Sequence, residues 1–178
     1  MNELEIIRSQ LAVQQRHAAE VANACAAALA EATAHFREAC VSYLVWVLAQ
    51  FEERDQSLSE ILASRDSVGN GGAAASARHF AGLISRSGTS REALSRLETA
   101  LAAGESPAAR AAWQEFAGFF NSAWVPRRAA LEGALAEHLG MPDLLAVCAI
   151  DADSILDERS RFGRVVAQLP DGVELRRR

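Results

Sequence analysis

The stretch TAHFREACVSYLVWVLAQFEERDQSLSEILASR, residues 33–65, contains neither glycine nor proline, and the same holds for the whole of residues 1–68. Helices avoid both residue types in their interiors, whereas strands and tight turns rarely extend so far without them. The pattern predicts a helix over 3–30 and a second over 34–65, each on the order of 45 Å long. Thr33 is the predicted N-cap of the second helix.

Glycine and proline divide the rest of the chain. The first break is SVGNGG, residues 67–72. After it the pattern predicts short helices over 73–86 and 90–103, a helix from Pro107 to about 139 that Pro126 kinks or divides, and a last helix from Pro142 to about 168. Long antiparallel helices with short links indicate an all-α, up-and-down helical bundle of four main long helices with one or two shorter ones. We expect a single domain over 1–178, with 170–178 as a flexible tail.

Composition and charge exclude several classes of protein. Half of the residues are hydrophobic and 23% are charged, as in folded soluble proteins. The net charge of −5 argues against nucleic-acid binding, which needs a basic face. No signal peptide is visible and the three cysteines form no CxxC pair, so we expect a cytoplasmic protein without disulfides. The abundance of alanine and the absence of lysine are typical of a GC-rich bacterial genome.

YLVWVLA, residues 43–49, is among the longest apolar runs of the chain. It is far shorter than the ~20 residues of a membrane-spanning helix, so we expect no membrane partner. A buried strand is the alternative to a helix here, because β-branched and aromatic residues are frequent in the run. No turn signal bounds it on either side, and the helix is favoured.

The charged stretch DADSILDERSRF, residues 151–162, separates into two faces when it is placed on a helical wheel. Asp151 and Glu158 fall in the centre of the apolar stripe of the last helix. Asp153 and Asp157 point the opposite way. The spacing therefore predicts two inward carboxylates, and a solvated face on which Asp157 and Arg161 form a surface pair.

Polar residues also fall on the apolar stripes of the first two helices: Gln14 in the first, and Arg54 with Gln50 near one edge in the second. A buried charge is normally found paired, because removing it alone from water costs several kcal/mol. We therefore expect Arg54 to face Asp151 and Glu158, with Gln14 and Tyr43 completing the hydrogen bonds. These residues, Gln14, Gln50, Arg54, Asp151 and Glu158, are the candidate ligand-binding set. The alternative is that these side chains are solvated, at the end of a bundle or at an interface.

Histidines offer few metal ligands. His17 and His35 both occur as His-x-x-Glu, the reverse of the Glu-x-x-His motif of di-iron bundles. His17 lies about a quarter-turn off the apolar stripe of its helix, and His138 follows two leucines on one face but stands at a helix end. These two are the metal candidates. No HExxH, CxxC or GxSxG motif is present, so we do not expect an enzyme.

The stretches RSQLAVQQRHAAEV in the first helix and LVWVLAQFEERDQSL in the second resemble the opening half of a hemerythrin-like bundle. That family places a histidine in its first helix and His-x-x-x-Glu in its second, and carries iron between four helices. The resemblance implies that His17 matches the first ligand, but Gln50 and Arg54 stand where the second motif is expected. It therefore implies a degenerate metal site in which the positive charge of Arg54 takes the place of the metal.

The sequence thus predicts a non-catalytic cytoplasmic bundle whose buried polar cluster is structural or binds a small ligand. We expect no cofactor. One alternative is a homo-oligomeric interaction protein, for instance a homodimer that buries the remaining apolar faces. The other is an iron-binding or oxygen-binding hemerythrin-like protein.

Overall fold

The computed structural model describes residues 3–27, 33–66, 88–102, 107–126 and 152–175. Within these ranges every regular element is helical: α1 (Glu3–Ala27), α2 (Ala34–Asp66), α3 (Gly88–Ala102), α4 (Pro107–Phe119), a π-helical segment (Phe120–Trp124) and α5 (Ala152–Ala167). The all-α prediction is confirmed for this part of the chain, and the run 43–49 is helical. The helix predicted over 73–86, and the predicted segments from 127 to 151, lie outside the described residues.

The starts of two helices follow the local chemistry of their first residues. Thr33 caps α2, since its Oγ1 accepts a hydrogen bond from the backbone N–H of Phe36 at 3.2 Å. Helix α4 begins at Pro107, where a missing N–H costs no helical hydrogen bond. Both starts confirm the sequence predictions.

Helices α1 and α2 pack as an antiparallel pair. Gln14, in the middle of α1, contacts Arg54 near the far end of α2, while Cys25 near the end of α1 contacts Cys40 close to the start of α2. Both cysteines are buried free thiols. Burial raises the pKa of Cys25, and the hydrogen bond and charge of Cys40 raise it further. Cys148 lies outside the described residues.

The apolar core lies between α1 and its three neighbours. Helix α1 packs on α2, α4 and α5, while α3 packs on α2 and α4. Large buried side chains fill this space, namely Phe36, Tyr43, Phe51, Trp113, Phe116 and Phe120. Phe51 of α2 meets Trp124 edge to face, with ring centroids 5.2 Å apart, so the aromatic core reaches the π-helical segment.

The π-helical segment ends just before Pro126. The N–H of Val125 donates to the carbonyl of Phe120, five residues back. Proline has no N–H and its ring clashes with the carbonyl four residues earlier, here that of Ser122. We attribute the wider turn to that clash, so the disturbance expected at Pro126 is a π-helical turn immediately before it.

The C-terminal residues fold back onto the helices. Val173 N–H donates to the carbonyl of Pro170 at 3.2 Å, and Gly172 between them has φ +82°. This is a type II turn, which requires a residue of positive φ at its third position. Leu175 beyond it is buried in the core. Residues 170–175, which belong to the predicted tail 170–178, thus form a turn whose last residue packs into the core, while 176–178 lie outside the described residues and the flexibility of the tail stays a prediction.

No helix in the described ranges combines the length and the apolar character needed to cross a membrane.

Candidate functional site

Glu158 is a buried carboxylate in the middle of α5. It is 4% exposed and lies seven residues, or two turns, before the buried Val165 on the same face. Asp153 on the opposite face is exposed, and Asp157 accepts hydrogen bonds from Nε of Arg161 at 3.0 Å. The charged stretch therefore has one inward and one outward face, as the helical periodicity predicts.

Two other helices supply hydrogen-bond donors to Glu158. The Tyr43 hydroxyl of α2 donates to Oε1 of Glu158 at 2.9 Å. Nδ1 of His17 in α1 lies 2.8 Å from the same oxygen. An ionised carboxylate only accepts, so Nδ1 is the protonated nitrogen when Glu158 is charged. We call these three residues the Glu158 cluster.

Phe162 covers the Glu158 cluster on one side. Its ring stacks on that of His17, with centroids 3.8 Å apart and planes 7° from parallel. It also lies against Tyr43, at a centroid distance of 5.8 Å. Because Phe162 follows Glu158 by one turn of α5, the helix that carries the carboxylate also carries the ring that holds the imidazole in place.

The Tyr43 hydroxyl is kept protonated by its surroundings. Burial raises its pKa far above the ordinary value, and the negative charge of Glu158 and the hydrogen bond to it raise it further. The charge of Glu20 adds to the effect. Tyr43 is therefore a permanent donor to Glu158 over the whole physiological pH range.

A second buried polar contact joins α1 and α2. Nη1 of Arg54 donates to Oε1 of Gln14 at 2.9 Å, and both side chains are buried. The guanidinium carbon also lies 5.4 Å from the ring centroid of Phe51, a cation–π distance. Asp55, next to Arg54, is buried as well.

The structure corrects the predicted partner of Glu158. The sequence predicts Arg54 as the partner of this carboxylate. Among the described residues its hydrogen bonds instead join it to His17 and Tyr43. Tyr43 and Arg54 are 11 residues apart on α2, which corresponds to about 16 Å along the helix axis. Arg54 therefore lies at a different level along α2 from the residue that contacts Glu158.

The remaining sequence candidates are placed as follows. Gln14 and Arg54 contact each other, and Gln50 is half-buried on α2. Asp151 and His138 lie outside the described residues, so the pairing of Asp151 with Arg54 stays a prediction. His17, which the sequence places about a quarter-turn off the apolar stripe, is bound to Glu158. Its spacing of three residues from the buried Gln14 was the signal for an inward position.

Metal-ligating side chains do not converge in the described part of the chain. No group of three or more His, Cys, Asp or Glu residues there could hold a metal ion. His17 has one carboxylate, Glu158, at hydrogen-bond distance.

Beside the Glu158 cluster, a cleft of about 310 Å³ opens between the first turns of α2 and the last turns of α5. Tyr43 forms part of its wall, together with His35, Glu38 and Ser42 of α2 and Arg161 and Arg164 of α5. Tyr43 thus connects the cleft to the buried carboxylate.

Comparisons of the chain with protein-family models, with curated proteins and with solved structures found no match.

Proposed function

We propose that the chain is a non-catalytic, cytoplasmic up-and-down helical bundle whose interior polar residues hold its helices in a single register. The Glu158 cluster is the observation that carries this proposal. Three helices contribute one residue each to it: His17 from α1, Tyr43 from α2 and Glu158 from α5.

The cost of breaking such a cluster supports a structural role. A buried donor or acceptor that loses its partner costs about 1–3 kcal/mol, and more when the group is charged. If α5 slid by one turn along α2, it would move Glu158 by about 5.4 Å, beyond reach of the Tyr43 hydroxyl. Buried polar groups select one packing among several apolar alternatives in some helical proteins.

Replacing the carboxylate by an apolar residue tests this proposal. In Glu158→Leu the donors of His17 and Tyr43 lose their acceptor, so we expect α5 to sample more than one register. The amide resonances of α5 in the ¹H–¹⁵N NMR spectrum should broaden or double while far-ultraviolet circular dichroism stays helical. Leu156→Ala, at an exposed position of the same helix, is the control. A single sharp spectrum of Glu158→Leu would refute the structural role.

Binding of a small ligand by the same interior groups is the second candidate. Both donors to Glu158 reach one oxygen, Oε1, and no hydrogen bond to Oε2 is formed by the described residues. A carboxylate has about four acceptor positions, more than the two that these donors fill. Native mass spectrometry of the purified protein tests this candidate. A retained mass that is absent from Glu158→Gln would favour it.

The degenerate, hemerythrin-like metal site also remains a proposal. The buried guanidinium of Arg54 supports it, because a fixed positive charge in the interior substitutes for one function of a metal ion among polar side chains. Metal content separates this proposal from the iron-binding alternative.

Size measurement in solution tests the homo-oligomer alternative, which a clean monomer would exclude.

A further inference from the structure

The cleft between α2 and α5 carries more positive than negative charge on its walls. Arg161 and Arg164 line it on the α5 side, and Glu38 is the acidic residue among its lining side chains. The start of α2 and the end of α5 meet here, and their opposite helix dipoles offset each other. The arginines therefore decide which charge the cleft attracts.

Arg161 is held in position at the edge of the cleft. Its Nε donates to both oxygens of Asp157, at 3.0 Å each. Its guanidinium carbon lies 5.4 Å from the ring centroid of Trp46. A guanidinium has five N–H donors, and Nε uses only one of them. The terminal nitrogens of this fixed group remain able to bind a ligand.

Arg164 lies three residues further along α5 and is exposed. Within the described part of the chain it forms no ion pair, although Glu38 lines the same cleft. Residues three apart on a helix are neighbours, so the two guanidinium groups share one face of α5. Two adjacent guanidinium groups match a carboxylate or phosphate group, since each can offer paired donors to such an anion.

The Tyr43 side of the cleft has a different chemistry. The Tyr43 hydroxyl is already committed to Glu158 and its side chain is 1% exposed, so Tyr43 lies beneath the surface of the cleft. Ala39 and Ala167 provide apolar surface, and Ser42 offers a neutral hydroxyl. A volume of about 310 Å³ is at the small end of ligand pockets.

We propose that this cleft binds a small organic anion, whose carboxylate or phosphate group pairs with Arg161 and Arg164 and whose apolar part packs against Ala39 and Ala167. The site goes beyond the function proposed above. It shares Tyr43 with the Glu158 cluster, but its two arginines are not part of that cluster, so it stands even if the cluster is purely structural.

Three probes of similar size test the proposal by NMR titration. The ionic strength is held constant with sodium chloride, because a change in salt concentration alone alters the chemical shifts of charged surface residues. Benzoate and phenyl phosphate carry the two anionic groups, and benzamide is the neutral analogue. We expect saturable shifts at lining residues of the cleft for at least one anion, with an affinity about tenfold or more above that for benzamide. The stronger of the two anions identifies the preferred group.

Arg164→Gln should weaken the binding of that anion about tenfold, the effect of losing one charge-assisted hydrogen bond. Arg159→Gln is the matched control, because Arg159 is an exposed arginine of the same helix that does not line the cleft. Its affinity should equal that of the unmodified protein. Equal binding of benzamide, equal losses in the two variants, or no saturable shift with either anion would each overturn the proposal.

Discussion

The hydroxyl of Tyr43 and the carboxylate of Glu158 are joined by a hydrogen bond of 2.9 Å across 115 residues of sequence. The bond fixes the last helix against the second at one level of the bundle. His17 reaches the same oxygen from the first helix. Most of the behaviour that we predict for this protein depends on this meeting point.

The first prediction concerns alkaline pH. Tyr43 is the sole tyrosine of the chain, so tyrosinate absorbance reports it alone. In the unfolded chain it should titrate at about pH 10. In the folded protein burial and Glu158 raise its pKa far higher. We expect the native protein to show no tyrosinate at pH 11, while the same protein in denaturant shows a full signal. A normal titration of the native state would contradict the buried hydrogen bond.

The same pKa difference makes stability depend on pH. Below about pH 10 both folded and unfolded Tyr43 are protonated, so its contribution is constant there. Above that pH only the unfolded chain releases the proton, and the free energy of unfolding should fall by up to about 1.4 kcal/mol per pH unit. Tyr43→Phe should remove this part of the slope. Denaturant unfolding of both proteins between pH 8 and about pH 11 measures the difference.

Loss of the Tyr43 hydroxyl should also destabilise the protein at neutral pH. Hydrogen bonds to charged groups contribute about 1.5–3 kcal/mol, so Tyr43→Phe should lower the free energy of unfolding by that amount. Asp153→Asn removes a carboxylate from the exposed face of α5, and its effect should stay within about 0.5 kcal/mol. Comparable effects of the two changes would show that the Glu158 cluster is open to water.

The contact between Gln14 and Arg54 is tested by removing the neutral partner. Gln14→Ala leaves a buried guanidinium without one of its acceptors, which should cost at least about 2 kcal/mol. Gln114→Ala is the control, since Gln114 is exposed on α4 and alanine is the better helix former. Urea unfolding of the two variants gives the comparison. A loss below about 0.5 kcal/mol for Gln14→Ala, typical of surface positions, would refute burial of the pair.

Replacing two glycines by alanine should change the stability of the protein in opposite directions. Gly163 lies inside α5 with open space around an added Cβ, so Gly163→Ala should stabilise the protein by about 0.8–1 kcal/mol. Gly172 also has open space but adopts φ +82°, so Gly172→Ala should destabilise it by about 1–2 kcal/mol. Thermal unfolding measures both. Stabilisation by Gly172→Ala would show that the type II turn is not formed.

The degenerate metal site predicts the metal content. After expression with added iron, the purified protein should contain well below one iron per chain. The measurement is atomic emission or absorption on the protein and on a matched buffer blank. Stoichiometric iron would instead support the iron-binding alternative.

The helices and the inward faces were readable from the sequence, because both depend on local rules. The absence of glycine and proline predicted α1 and α2, and the helical period indicated inward positions for Gln14, Arg54 and Glu158, all of which are buried. The register between helices depends instead on how side chains interlock along each interface. For that reason Tyr43 was named as an accessory partner and Arg54 as the main one, although Tyr43 donates to Glu158 directly.

Two further features had no decisive local signal. His17 lies at the edge of its apolar stripe, and among the described residues the ring of Phe162 and the carboxylate of Glu158, both more than 140 residues away, hold it inward. Pro126 predicted a disturbance in its helix, and the π-helical turn before it carries Trp124, which meets Phe51 of another helix. The sequence indicated the position of the disturbance near Pro126, whereas the inward position of His17 is seen only in its contacts with α5.

The distance in sequence between Glu158 and its two donors has a consequence for the growing chain. Protein chains are made from the N-terminus at about 5–20 residues per second, so α1 and α2 are synthesised before α5. Until then Tyr43 and His17 lack the carboxylate of Glu158, and we expect water to take its place between the first two helices. Water is therefore excluded from this interface only when α5 packs onto it. A chain that stops before residue 158 should keep water between α1 and α2 and should be more sensitive to proteases.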